Sequence, residues 1–183
     1  MRRLAALSAI LLAACATSSQ GPAVAPAPDQ TLRIPTSNAS GGSTITIAQS
    51  ESPSNRIIAA PAARIWDALP AVYQTLGLPI TDRNAENRTI GTTSYKVRRR
   101  LANVPLSRYI DCGSTQGSPS ADSYEVLLNV STQLTPAGDT TAVSTTVSAL
   151  ARPVFVSGEY INCGTTRALE KRFFDILSVE MKH

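Results

Sequence analysis

The chain has 183 residues, 43% of them hydrophobic and 5% aromatic, with 17 Lys and Arg against 13 Asp and Glu. This is enough apolar material for one domain with a real core, plus a tail. Two of the basic residues are Arg2 and Arg3, so beyond them fifteen basic side chains face thirteen acidic ones. That small excess excludes a nucleic-acid binder, which needs a clustered cationic face on a strongly basic domain.

The chain begins MRRLAALSAILLAACATSSQ. Arg2 and Arg3 form a positive start, and Leu4 to Ala14 form an apolar stretch too short to span a bilayer. Small residues and Cys15 follow, the order of an export signal over residues 1–14. Leu12-Ala13-Ala14-Cys15 resembles the lipobox of bacterial lipoproteins. The resemblance implies that Cys15 is acylated, becomes the mature N-terminus and carries three acyl chains. One chain holds a protein only marginally, whereas several, at about 0.8 kcal/mol per buried methylene, hold it stably. Ala16 stands where an inner-membrane retention aspartate would sit, which in that family implies the outer membrane. The expected location is therefore a lipid anchor in the outer membrane, with the domain facing the periplasm. The alternative is an ordinary cleaved signal with an incidental cysteine.

Residues 15–54 are rich in Pro, Ala, Ser, Thr, Gly and Gln, as in GPAVAPAPDQ and SNASGGST. Such composition reads as a disordered tether between anchor and domain. Within it STITIAQS alternates like a strand that would pair with the domain edge.

The single domain is expected over residues 55–183. RIIAA is a short apolar run, and Pro61 suits a first helical position. Ile65, Leu69, Val72 and Leu76 then follow at helical spacing, with Trp66 and Tyr73 beside them and Gly77 as terminator. Pro70 should kink or divide this helix. LPITDRNAENRTIGTTSYKVRRRL reads as strand, polar turn, strand. DSYEVLLNVSTQL and TTAVSTTVSALARP alternate cleanly and are joined by TPAGD, a hairpin signal. VFVSGEYIN reads as another strand. A last helix starts at Thr165 or Thr166, with Leu169, Phe173, Ile176, Leu177 and Val179 or Met181 on its apolar side; Thr166 supplies its cap. The order gives an α+β domain, an antiparallel sheet covered by two helices.

PAARIWDALPAVYQTLGL resembles the first helix of the helix-grip domains in the small lipoprotein subunit of the outer-membrane β-barrel assembly machinery. It is also similar to the opening of START-like ligand-binding domains. The likeness covers Arg56 to Lys182 in pattern and IWDALPAVYQTLG in residues. It implies a curved sheet gripped by a terminal helix.

Two octapeptides, RYIDCGST at residues 108–115 and EYINCGTT at residues 159–166, each surround a cysteine. A zinc site needs about four ligands, and only Cys112, Cys163 and the terminal His183 are at hand, so no metal is expected. A redox pair would be Cys-x-x-Cys, which is absent. The flanks share too little for an internal repeat. In an oxidising compartment the remaining reading is a structural disulfide between Cys112 and Cys163. Each Tyr-Ile would end an extended segment, and each following Gly would let the chain turn away.

Material for catalysis is thin. The lone histidine is the last residue, which disfavours Ser-His and Cys-His devices. Asp111 and Asp122 could form a carboxylate pair, but loop aspartates are more often turn residues. The loop CGSTQGSPS lacks the lysine and spacing of a phosphate loop, and as a surface loop it could instead touch a partner. In YKVRRR, strand phase puts Lys96, Arg98 and Arg100 on one face and Tyr95, Val97, Arg99 and Leu101 on the other. That basic face is either a solvated outer surface that blocks edge aggregation or a contact for anionic head groups. Trp66 and Tyr73 read as core rather than a ligand stack.

The expected function is that of a non-enzymatic, lipid-anchored envelope protein, an accessory or scaffold component at the outer membrane with an envelope protein as partner and no cofactor. The rival is a carrier of an apolar ligand or lipid in a cavity between sheet and helix.

Overall fold

A computed structural model describes residues 30–36, 43–49, 52–155 and 158–182. Residues 1–14, expected to be an export signal, Cys15 and His183 lie outside the described residues. In chain order the strands are β1 (Gln30–Thr36), β2 (Ser43–Gln49), β3 (Ser54–Ile58), β4 (Asp82–Asn84), β5 (Thr89–Arg98), β6 (Arg100–Leu101) and β7 (Val104–Pro105). Then come β8 (Ile110–Asp111), β9 (Ser114–Thr115), β10 (Ser118–Pro119), β11 (Glu125–Ala137), β12 (Thr140–Arg152) and β13 (Ile161–Thr165). The helices are α1 (Ala62–Thr75), between β3 and β4, and α2 (Ala168–Glu180), at the end.

The fold is α+β. A seven-stranded antiparallel sheet has the order β4-β5-β11-β12-β13-β8, and β3 pairs with β12 beyond the end of β13. The long β11–β12 hairpin is its backbone, thirteen residues on each strand, closed by Gly138 with φ +63° and Asp139. Alternation decides which face is buried. Val126, Leu128, Val130 and Leu134 of β11 and Val143, Val147 and Ala149 of β12 point into the core, where both helices pack. On the other face Asn129, Ser131, Gln133, Ser144, Thr146 and Ser148 are half-exposed or exposed. A bulge in β5 shifts its register between Leu128 and Val130, and Ser94, with φ +53°, donates its N–H to Asn129 Oδ1 at 2.7 Å. Such a bulge bends the strand it interrupts.

The helical face of α1 is as the spacing requires: Ile65, Leu69, Val72 and Leu76 are buried, and Gly77 takes φ +68°. Pro70 does not divide the helix, which runs unbroken to Thr75. Buried contacts at Ile65 and Leu69 before the proline and at Val72 and Tyr73 after it hold both halves on the core. Pro61 is the residue preceding the first turn rather than its first member.

Four further expectations are corrected. β2 pairs with β1 over seven residues and lies beside β13, with no ladder to the main sheet among the described residues. The first strand of the β4–β5 hairpin starts only at Asp82, so LPIT is not a strand. Of VFVSGEYIN, the described residues Val154, Phe155 and 158–160 lie outside any strand and only Ile161 and Asn162 belong to β13, since β12 ends at Arg152 before Pro153. α2 begins at Ala168 because Arg167 turns the chain at φ +66°. On α2, Leu169, Phe173 and Leu177 are buried as expected, while Val179 is 52% exposed and the unforeseen Phe174 and Glu170 are buried. Glu170 is held by the Thr165 hydroxyl, which donates to it at 2.8 Å.

Candidate functional site

The two octapeptides answer to each other. β8 and β13 run antiparallel with Asp111 opposite Gly164 and Ile110 opposite Thr165, which sets Cys112 opposite Cys163. The two cysteines are disulfide-bonded, with Cα atoms 4.4 Å apart. Gly113 turns the chain away at φ +75°, but Gly164 stays inside β13 and turns nothing. A shallow cleft of about 410 Å³ opens beside the bridge, lined by Ser107, Asp111, Gly113, Ser114 and Thr166 among others. Its carboxylates serve turns. Asp111 accepts the Gly113 N–H at 2.8 Å, and Asp122 accepts the Ser107 N–H at 2.9 Å and hydroxyl at 2.6 Å.

The basic run is split. Lys96 and Arg98 do share the outer face of β5, but Arg99 takes φ +63° and ends the strand. Arg100 therefore belongs to the small β6–β7 hairpin, where it donates to the Asn103 carbonyl at 2.9 Å. The three-cation face expected from strand phase does not form, because the phase is broken at Arg99.

What Lys96 and Arg98 face is Glu125. In register, Arg98, Glu125 and Arg152 lie in one row across β5, β11 and β12. The Glu125 side chain is only 5% exposed although it starts on the outer face. Arg98 Nη2 donates to its Oε2 at 2.7 Å. Arg152 donates to Oε1 from Nε at 3.2 Å and Nη2 at 2.9 Å. The Tyr160 hydroxyl donates to Oε1 at 3.0 Å, and Lys96 Nζ stands 3.5 Å away. The Arg152 guanidinium also lies over the Tyr160 ring, 4.7 Å from its centre. Foremost the Arg98 hydrogen bond, then those of Tyr160 and Arg152, pull the Glu125 carboxyl down to about 2, against the desolvation that would raise it. Burial and the same carboxylate raise the Tyr160 phenol.

Three cations around one carboxylate leave two positive charges uncompensated. A cleft of about 380 Å³ opens over this cluster, lined by Arg98, Glu125, Arg152, Val154, Phe155 and Gly158 among others. Arg152 and Tyr160 carry no sequence signal for this cluster, since neither falls in the basic run.

Of the two aromatics on α1, Tyr73 is wholly buried, whereas Trp66 is half-buried with Arg83 stacked 5.0 Å over its ring. Among the described residues no helix is long and apolar enough to cross a membrane, and no three potential metal ligands cluster. No known family matches the chain, and no curated protein matches it in sequence.

Proposed function

We propose that the protein is a non-catalytic, lipid-anchored component of the cell envelope, an accessory or scaffold module of the outer membrane working through its surface. The Leu-Ala-Ala-Cys segment at Cys15 supports the anchor. The observation that carries the module reading is the packing. The layer between sheet and helices is filled by Ile65, Leu69, Tyr73, Phe173 and Leu177, each no more than 1% exposed. The opposite sheet face keeps half-exposed polar side chains.

A carrier of an apolar ligand would need a lined cavity in that filled layer. The three clefts described among these residues instead open at the surface: beside Glu125, beside the disulfide, and between Arg56 and Lys171. Native purification from membranes, with bound proteins and co-extracted lipids both identified by mass spectrometry, tests the choice. A stoichiometric envelope protein is expected. An apolar molecule retained at one per chain after exchange into lipid-free detergent overturns the module reading in favour of the carrier.

A further inference from the structure

We propose that the Glu125 end of the sheet rests on an anionic phospholipid bilayer, with Phe155 among the acyl chains and Lys96, Arg98 and Arg152 against head-group phosphates. Phe155 is 97% exposed and lines the same cleft as Arg98 and Arg152. A large aromatic held in water beside a cationic cluster is the composition of an interfacial membrane contact, in which apolar insertion and attraction to anionic lipid act together. Glu125 does not cancel that attraction. Its side chain is 5% exposed, while those of Lys96, Arg98 and Arg152 are 60%, 53% and 43% exposed, so the cations form the outer layer.

The strand directions agree. β3 pairs Ser54 with Thr145 and Ile58 with Thr141, so its first residues point back toward the Arg152 end of β12. The inference rests on the lipid-anchored reading, which keeps the domain near a bilayer. It differs from a basic strand face in that Arg100 is left out and Arg152 and Phe155 are included.

The test uses the full acylated chain with Trp66→Phe and Phe155→Trp, reconstituted into vesicles of bromine-labelled phosphatidylcholine with or without phosphatidylglycerol. The mass of the Cys15 peptide reports the anchor separately from the contact. Tryptophan at position 155 should be quenched in the anionic vesicles and released as salt rises, since exposed charge interactions are screened. Adding Lys96→Gln, which leaves Arg98 and Arg152 on Glu125, should shift that release to lower salt. Acylated chain without quenching overturns the inference while leaving the anchor intact. Equal quenching in phosphatidylcholine alone, unaffected by salt, overturns the role of the cations. Lipid-independent self-association abolished by Phe155→Ser would assign the surface to a second copy and overturn the bilayer contact. An unacylated Cys15 would fail the anchored reading, whatever position 155 reports.

Discussion

Tyr73 on α1 and Thr132 on β11 meet through their hydroxyls at 3.0 Å inside the core. The Tyr73 phenol donates to the Ile90 carbonyl of β5 at 3.0 Å, and Thr132 lies 3.2 Å from the Thr145 hydroxyl of β12. Each hydroxyl has one proton, so the chain of donation runs from Thr145 to Thr132 to Tyr73 to Ile90. One helix is thereby fastened to three strands by polar atoms inside an apolar layer. Burial pushes the phenol up to about 12, so it stays protonated at any physiological pH. Tyr73→Phe leaves the Ile90 carbonyl and the Thr132 hydroxyl short of a partner and should cost about 1–3 kcal/mol. Urea titration of both proteins measures it; a loss near zero would mean that the network relaxes onto Thr132 and Thr145 alone.

Reduction of the Cys112–Cys163 bridge, or its replacement by serines, frees a loop spanning a sequence separation of 51 residues. On the loop-entropy model the unfolded chain gains about 4 kcal/mol of freedom. The melting temperature should drop markedly with reductant present. Unchanged melting, or free thiols at both positions in the purified full chain, would remove the bridge from the account of stability.

Glu125 sets an acid limb. Its pKa falls from the ordinary 4.5 to about 2 on folding, so its stabilisation is complete above 4.5 and is lost as pH falls toward 2. Asp82 and Asp175, both lowered by hydroxyl or lysine partners, act in the same direction. The informative quantity is therefore a difference: Glu125→Gln should be less stable than the parent at neutral pH and lose less between pH 4.5 and pH 2. Parallel curves for the two proteins would show that the carboxylate is not held as described.

The basic residues should part company on mutation. Lys96→Gln and Arg100→Gln change exposed side chains and should each shift stability by under about 0.5 kcal/mol. Arg98→Gln should destabilise clearly more, because it withdraws the closest partner of a carboxylate shielded from water. Adding Glu125→Gln to it should restore part of the loss, the mark of direct coupling. Three equal effects in thermal melts would contradict the geometry.

What the sequence made legible was whatever lies close in the chain. The α1 face follows from spacings of three and four, and the β11–β12 hairpin from strict alternation around Pro-Ala-Gly-Asp. The cysteine pair was legible by elimination, and the structure adds that its flanks are ladder partners. The Glu125 cluster was not legible. Alternation places Glu125 outward, but its burial depends on Arg98, Arg152 and Tyr160, which reach it only through the sheet register. Arg100 was misplaced because Arg99 adopts a positive φ that no glycine or asparagine announces. The β13 boundary was misplaced because Val154 and Phe155 have strand-like side chains without a strand to pair with.

The position of β3 also has a kinetic consequence. This strand leads into α1, yet its partner in the sheet, among the described residues, is β12; nearby, Thr141 Oγ1 donates to the Ala60 carbonyl across 81 residues of chain. Contacts so distant in sequence form late, after loop closure has been offset by other structure. The β11–β12 hairpin closes through a two-residue turn and can form as soon as it exists. A chain emerging N-terminus first would present Ile58 and the apolar side of α1 to solvent until that hairpin follows. During that interval the nascent domain is exposed to misassociation, a hazard that shortens with faster delivery of its C-terminal half.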